Sequence, residues 1–326
     1  MSDSSLPSIR LGVVMDPIED IKYAKDSTLA MLLAAQARHF ELVYMEQNDL
    51  SLRDGRAYAR MRQLTVRPDA TGWYTLGEPK VAPLAGAVDV ILMRKDPPFD
   101  MEFIYTTYIL ERAEIEGVMI CNRPQGLRDM NEKVYTAWFA QACAPTFITR
   151  DMSDMAAFVR EHGKAVCKPL HGMGGRSIFV VTADDKNMNV IFETLTNYGQ
   201  QFAIVQRYIP DIVATGDSRV LLIDGEPVPF ALARIPSASD NRGNLAAGAK
   251  GVGRPLNDRD RWLAAQVGPT LASKGMIFVG LDVIGGYVTE INVTSPTGIR
   301  ELDKQFNLNI GDLLIQAIEK RLKRVA

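Results

Sequence analysis

Apolar residues come in short dense runs through the first third of the chain and in alternating patterns after it. Ile9 to Met15 is such a run, closed by the turn signal Asp16-Pro17, and it predicts a short buried strand. Ser27 to Ala37 predicts a helix, with Asp26 or Ser27 placed to cap it. Glu41 to Met45, Val88 to Met93 and Val118 to Cys121 predict three more strands. The second of these follows a Pro/Gly-containing loop, and the last runs into Asn122-Arg123-Pro124. Phe103 to Glu116 lies between them with a long helical pattern. Strands alternating with helices predict a parallel α/β sheet, with ligands at the carboxyl ends of its strands.

The pattern changes near residue 130. Asn131 to Gln141 reads as a helix, and short strands and hairpins dominate beyond it. Phe202 to Ile209 predicts a strand ended by Pro210. Asp224-Gly225 and Gly285-Gly286 are hairpin turns. Asp258 to Lys274 and Gly311 to Arg324 close the chain as helices, and the basic KRLKR run suits a helix C-terminus. The expected units are residues 1–129, 130–207 and 208–326.

Composition narrows the classes. Of 326 residues, 47% are apolar and 23% charged, enough for a packed core. Lys plus Arg (37) nearly balances Asp plus Glu (39), which gives no case for nucleic acid or a membrane surface. No apolar run is long enough to span a bilayer and no signal peptide is visible, so a cytoplasmic protein is expected. Cys121, Cys143 and Cys167 have neither finger nor CxxC spacing and read as reduced structural thiols. The three histidines, His171 included, carry no evident chemistry.

Four segments do carry chemistry. In residues 281–298, Glu290 and Asn292 are two apart on a strand and share a face, with Asp282 on the strand before. This is a hard-oxygen set that suits Mg²⁺, although an exposed acidic strand face would look the same. A regular two-residue turn at Gly285-Gly286 would put Asp282 opposite Thr289 and on the face away from Glu290. A shared metal site therefore requires a bulge or a longer turn. In residues 168–177, Lys168 precedes Gly172, Gly174 and Gly175, whose backbone could cradle a phosphate in an order that is neither Walker A nor dinucleotide-binding. Asp217, Arg219 and Arg234 share one face of the Asp224-Gly225 hairpin, either as an anion site or as a solvated Asp–Arg pair. Ser237 to Gly251 is small, polar and glycine-rich, long enough for a lid, with Arg242 and Lys250 as its cations.

Together these segments resemble the ATP-grasp superfamily. The order Lys133, Lys168, Gln206 to Ile209, then Asp282, Glu290 and Asn292 follows the pattern of that superfamily over roughly residues 130–300. MDPI (15–18), DVILMRKDPPFD (89–100), RDMNEK (128–133), KPLHGMGGRSIF (168–179), RGNLAAG (242–248) and TEINVTSPTGIRE (289–301) resemble bacterial glutathione synthetases more closely. The resemblance implies an ATP-grasp fold with an N-terminal Rossmann-like parallel α/β domain, a small central lid domain and a C-terminal α+β domain. It also implies ATP-dependent joining of γ-glutamylcysteine to glycine through an acyl phosphate.

The residue roles follow from the same resemblance. Asp282, Glu290 and Asn292 would hold two Mg²⁺ (Mn²⁺ as a substitute). Lys133, Lys168, Gly172, Gly174, Gly175, Gln206, Tyr208, Ile209 and Asp217 would bind ATP. Arg219 and Arg234 would stabilise the transferred phosphate. Arg94, Arg242 and Asn244 would face the substrates. A homo-oligomer, tetramer or dimer, is implied. Arg207 and Gly298 are left without a role. Another ATP-grasp carboxylate–amine ligase and a non-catalytic ATP-binding module remain the competing readings.

Overall fold

The computed structural model describes residues 8–172, 177–235 and 250–325. The N-terminal part comprises β1 (Arg10–Val14), α1 (Ser27–Ala37), β2 (Glu41–Met45), β3 (Leu50–Arg53), β4 (Arg56–Val66), β5 (Tyr74–Leu76), β6 (Lys80–Pro83), β7 (Val90–Met93), α2 (Met101–Ile115) and β8 (Met119–Cys121). The strands β2-β1-β7-β8 form the expected parallel sheet. Asp26 caps α1 by accepting from Leu29 N at 2.6 Å, and Asp100 caps α2 in the same way. The stretch read as a loop is instead an antiparallel extension. β4 pairs with β2, β3, β5 and β6, and Asp54-Gly55 makes the β3–β4 turn.

After α3 (Pro124–Asp129) the expected helix over 131–141 is not an α-helix. Val134–Ala142 is 3₁₀ and is broken at Phe139, whose φ/ψ are −130° and 47°. A four-stranded antiparallel sheet follows, built from β9 (Thr146–Thr149), β10 (Lys164–Pro169), β11 (Phe179–Thr182) and β12 (Ala203–Arg207) in the order β11-β10-β12-β9. Two helices that sequence reasoning missed, α4 (Met152–His162) and α5 (Met188–Thr196), cover it. Met155, Val159, Phe192 and Leu195 bury against Ala165, Val181 and Val205 in a core that belongs to this sheet alone.

The remainder comprises α6 (Asp211–Thr215), β13 (Asp217–Ile223), β14 (Glu226–Ile235), β15 (Lys250–Pro255), α7 (Asp258–Ser273), β16 (Phe278–Ile284), β17 (Tyr287–Asn292), α8 (Ile299–Phe306) and α9 (Ile310–Val325). Its sheet runs β15-β14-β13-β16-β17, all antiparallel.

Unlike the central sheet, the first and last sheets share their cores. One cluster joins Val14, Ile91 and Leu110 to Leu263, Val279 and Val288. A second joins Leu11 and Leu29 to Phe278, Leu314 and Ile318. Asn122 stitches the two sheets together. Its Nδ2 donates to Phe278 O (2.7 Å) and Val293 O (2.6 Å), and its Oδ1 accepts from Ile277 N (2.7 Å) and Phe278 N (2.9 Å). All four contacts are buried, so this amide is fully satisfied.

Candidate active site

The β16–β17 hairpin keeps a two-residue turn and carries a bulge, one of the two forms a shared acidic site requires. Gly285 and Gly286 form a two-residue turn with φ of 54° and 79°, and Ile284 pairs with Tyr287 and Val283 with Val288. The register then shifts, so that Asp282 pairs with Glu290 and Thr289 is left as the extra residue. Thr289 Oγ1 donates to Asp282 O at 3.2 Å. Asn292, two residues on, donates its Nδ2 to Gly280 O at 3.2 Å, leaving its oxygen as the donor atom for a cation.

Four cations converge on these two carboxylates. Arg219 Nε and NH2 meet the Asp282 oxygens at 2.7 and 2.9 Å, and Arg234 NH2 stands 2.9 Å from Asp282 Oδ2. Burial alone would raise the Asp282 carboxyl, but the two guanidiniums outweigh burial and hold it well below the usual carboxylate range. Lys168 Nζ lies 3.2 Å and Lys133 Nζ 3.7 Å from Glu290 Oε1. Burial again opposes ionisation of Glu290, and the two ammoniums reverse it. Arg219 and Arg234 come from β13 and β14, Lys168 from β10 and Lys133 from the segment before the 3₁₀ turn. The site therefore lies where the central sheet faces the last one.

Asp217 sits directly across the ladder from Arg234 and pairs with it. The hairpin register slips by two residues between Val220 and Leu222, which preserves the expected common face of Asp217, Arg219 and Arg234. Burial raises the Asp217 carboxyl to about 7 against the pull of Arg234. Arg234 is shared with Asp282 and offers Asp217 only part of its charge. Asp217 Oδ1 and Arg234 Nε are buried with no hydrogen-bond partner among the described residues.

The other expected residues fall as follows. Gly172 has a φ of 105°, a conformation that suits glycine, and its carbonyl accepts from Lys133 Nζ at 3.3 Å. Gly174, Gly175, Arg242, Asn244 and the 237–249 part of the expected lid lie outside the described residues. Gln206 is buried and its Nε2 donates to Thr146 Oγ1 at 2.8 Å. Lys164 Nζ stands 3.9 Å from the centre of the Tyr208 ring, and Ile209 is buried.

Arg94, expected at the substrates, directly follows β7 and is held by two neighbours. It is 7% exposed, with Nε on Thr28 Oγ1 and NH2 on Pro296 O, both at 3.1 Å. Its guanidinium is turned inward, where it props the loop after β17.

Two residues beside the site, Glu132 and Asn131, were missed. Glu132 pairs with Lys133, and its carbonyl accepts from Ile291 N at 2.8 Å, next to Glu290. Burial raises its carboxyl, and the nearby Glu290 charge adds to that. Asn131 Oδ1 accepts from the backbone of Lys133 and Val134, both at 3.0 Å, and its Nδ2 holds Leu170 O at 3.0 Å. Asp96 accepts from Ser295 Oγ across the first and last sheets. Asn131 and Glu132 adjoin Lys133 in RDMNEK, and that adjacency was the available signal.

Among the described residues no cluster of three or more His, Cys, Asp or Glu forms a self-sufficient metal cage. Two opposed carboxylates and an amide oxygen do fit Mg²⁺ that completes its shell with phosphate and water.

The comparisons agree with this geometry. The family model of the prokaryotic glutathione synthetase N-terminal domain matches residues 9–128, and that of the prokaryotic glutathione synthetase ATP-grasp domain matches residues 132–307. The chain is 58% identical to the glutathione synthetase of Pseudomonas putida over 97% of its length and 99% of the relative's. It is 52% identical to that of Vibrio cholerae over 98% and 99% of the two chains. Among solved structures, D-cycloserine synthetase superposes with a TM-score of 0.66 at 15% identity, covering 96% of this chain and 99% of the other. The ATP-grasp ligase PsnB superposes with a TM-score of 0.60 at 14% identity, covering 98% and 100%. Those two likenesses show the fold, which is ATP-grasp. With both family models matched in order along nearly the whole length, the chain belongs to the prokaryotic glutathione synthetase family.

Proposed function

We propose that this ATP-dependent ligase joins γ-glutamylcysteine to glycine, giving glutathione, ADP and phosphate. One observation carries the placement of the reaction. Four cations, Lys133, Lys168, Arg219 and Arg234, surround the opposed carboxylates of Asp282 and Glu290.

A carboxylate is a poor electrophile because oxide is its leaving group. Phosphorylation by ATP makes an acyl phosphate, which the glycine amine attacks, and phosphate then leaves. The protein's work is placement and charge neutralisation. Lys133 and Lys168 would hold ATP phosphate oxygens, with Gly172, Gly174 and Gly175 as the cradle. Arg219 and Arg234 would stabilise the transferred phosphoryl and the oxyanion. Adenine would lie along Gln206, Tyr208 and Ile209, and the ribose near Asp217. Asp282, Glu290 and Asn292 would hold one or two Mg²⁺, which neutralise charge on the phosphates. Arg94, at the carboxyl end of β7, would face the substrates while bracing the loop between β17 and α8.

A division into units at 1–129, 130–207 and 208–326 accords with three sheets of which only the central one has a core to itself. Assembly as a dimer or tetramer in the cytoplasm rests on family membership alone. No helix among the described residues is long and apolar enough to cross a membrane.

The test is product identification. With ATP, Mg²⁺, γ-glutamylcysteine and glycine, glutathione should form, and omitting either substrate should stop phosphate release. Turnover only with other carboxylate–amine pairs would overturn the substrate assignment. ATP binding without any turnover would leave a binding module.

A further inference from the structure

Arg207 has no part in the reaction as drawn, yet its surroundings are built. It ends β12, and its NH2 donates to Tyr287 Oη at 3.3 Å. Its guanidinium carbon stands 5.7 Å from the centre of the Tyr287 ring. Arg259, from α7, approaches the same ring at 5.9 Å and donates Nε to Gly286 O at 2.8 Å. Arg259 also lies 4.1 Å from the centre of the Trp262 ring. The result is an alternating ladder, Arg207–Tyr287–Arg259–Trp262. Two guanidiniums this near would repel, and the electron-rich ring between them offsets that repulsion. Among the described residues neither arginine has an ion-pair partner.

The ladder joins two parts whose relative position matters. β12 belongs to the central sheet, and Tyr287 opens the strand that carries Glu290 and Asn292. The hairpin tip also touches the chain just after β12. A Cβ on Gly285 would fall 2.6 Å from Ile209 Cγ2 and 2.9 Å from the Asp211 carboxyl carbon. β17 is thus tied to the central sheet at two points. Glu290 meets Lys168 at the inner point, and Tyr287 meets Arg207 at the outer one. Lys168 and Arg207 lie on adjacent strands, β10 and β12. A single contact would let the hairpin pivot, and two contacts fix its angle.

We infer that Arg207 and Tyr287, backed by Arg259 and Trp262, are positioning residues that hold the nucleotide segment 206–209 at a fixed angle to the Asp282–Glu290 hairpin. They act by aligning base and phosphate sites and touch no reacting atom. This inference rests on the assignment of adenine to residues 206–209.

The experiment compares wild type with Arg207→Gln, Tyr287→Leu, Tyr287→Phe and the Arg207→Gln/Tyr287→Leu double variant. It measures ATP affinity by equilibrium titration, the KM for ATP, kcat at saturating ATP, and the melting temperature. Arg207→Gln and Tyr287→Leu should each raise Kd and KM for ATP about tenfold, with kcat within about twofold. The double variant should be no worse than the poorer single, because both remove one contact. Tyr287→Phe keeps the ring and loses the hydroxyl that accepts from Arg207, so its loss should be smaller than that of Tyr287→Leu. Unchanged ATP affinity in both singles, fully additive losses, or a loss in Tyr287→Phe equal to that in Tyr287→Leu would overturn the ladder. If Tyr287→Leu does not fold, Arg207→Gln and Tyr287→Phe still decide. Failure of the wild type to bind ATP would instead sink the nucleotide assignment, so the two failures are distinguishable.

Discussion

Asp282 and Glu290 face each other directly across the β16–β17 ladder because Thr289 is an extra residue in β17. Without that bulge the side-chain alternation of the hairpin would send them to opposite faces. With it, two carboxylates share one small volume with four cations.

Glu290 is the partner of both lysines. Glu290→Gln should lower the rate by at least about 10²-fold, on the scale of losing one charged participant in phosphoryl transfer. Without nucleotide it should also lower stability by about 1–3 kcal/mol, since Lys168 loses its acid and Lys133 keeps only Glu132. Phosphate release and thermal melts measure the two effects. A variant that melts higher and turns over normally would contradict both.

Asp217 gives a pH signature. Its carboxyl stands at about 7, above the ordinary carboxylate value, because burial outweighs the share of Arg234 it receives. A raised folded value means its contribution to stability is full below the ordinary range and is lost as pH rises through about 7. Asp217→Asn is neutral throughout. Its melting temperature should therefore rise relative to wild type between pH 5 and pH 8. A gap that is flat or narrows with pH would count against this placement.

The buried thiols should be inert. Burial raises Cys121 and Cys167 to about 12 and Cys143 to about 11. At pH 8 a thiol at 12 is about one part in ten thousand thiolate, against roughly a quarter for a free cysteine. Alkylation of the native protein at pH 8 should be slow at all three positions, quickest at Cys143, and should accelerate on unfolding. Rapid modification of Cys121 in the folded protein would show that the core is open there.

Much of this was legible, for definite reasons. β1, α1 and β2 have sharp ends in sequence, with Asp16-Pro17 after one and the Asp26 cap before another. A bulge or a longer turn followed from parity, because a regular two-residue hairpin would separate Asp282 from Glu290, and the bulge at Thr289 is the form it takes. β3 to β6 were missed because they contain no dense apolar run, although Arg56–Met61 of β4 alternates in burial and Asp54-Gly55 is a hairpin signal. α4 had a visible cap in Asp151, which accepts from Ser153 N and Asp154 N, but its apolar face is short. At Asn131 local chemistry overrode periodicity. Its carboxamide takes the first backbone donors of the turn and holds Leu170, and a 3₁₀ segment results. The inward turn of Arg94 depends on Thr28 and Pro296, which are remote from it in sequence.

Asn122 should be among the most costly single polar residues to lose outside the site. Asn122→Ala removes four buried hydrogen bonds between the first and last sheets and strands their backbone partners, at a cost of at least about 3 kcal/mol. Chemical denaturation measures it. A change below about 1 kcal/mol would mean that the shared apolar cores alone hold the two sheets together.

Carboxylate activation at the Asp282–Glu290 site is the central step proposed, and isotope transfer tests it most directly. γ-Glutamylcysteine labelled with ¹⁸O in its cysteinyl carboxylate would be turned over with ATP and glycine, and the released phosphate analysed by mass. An acyl phosphate requires one labelled oxygen to pass into phosphate at each turnover. Glutathione formed together with unlabelled phosphate would contradict the account.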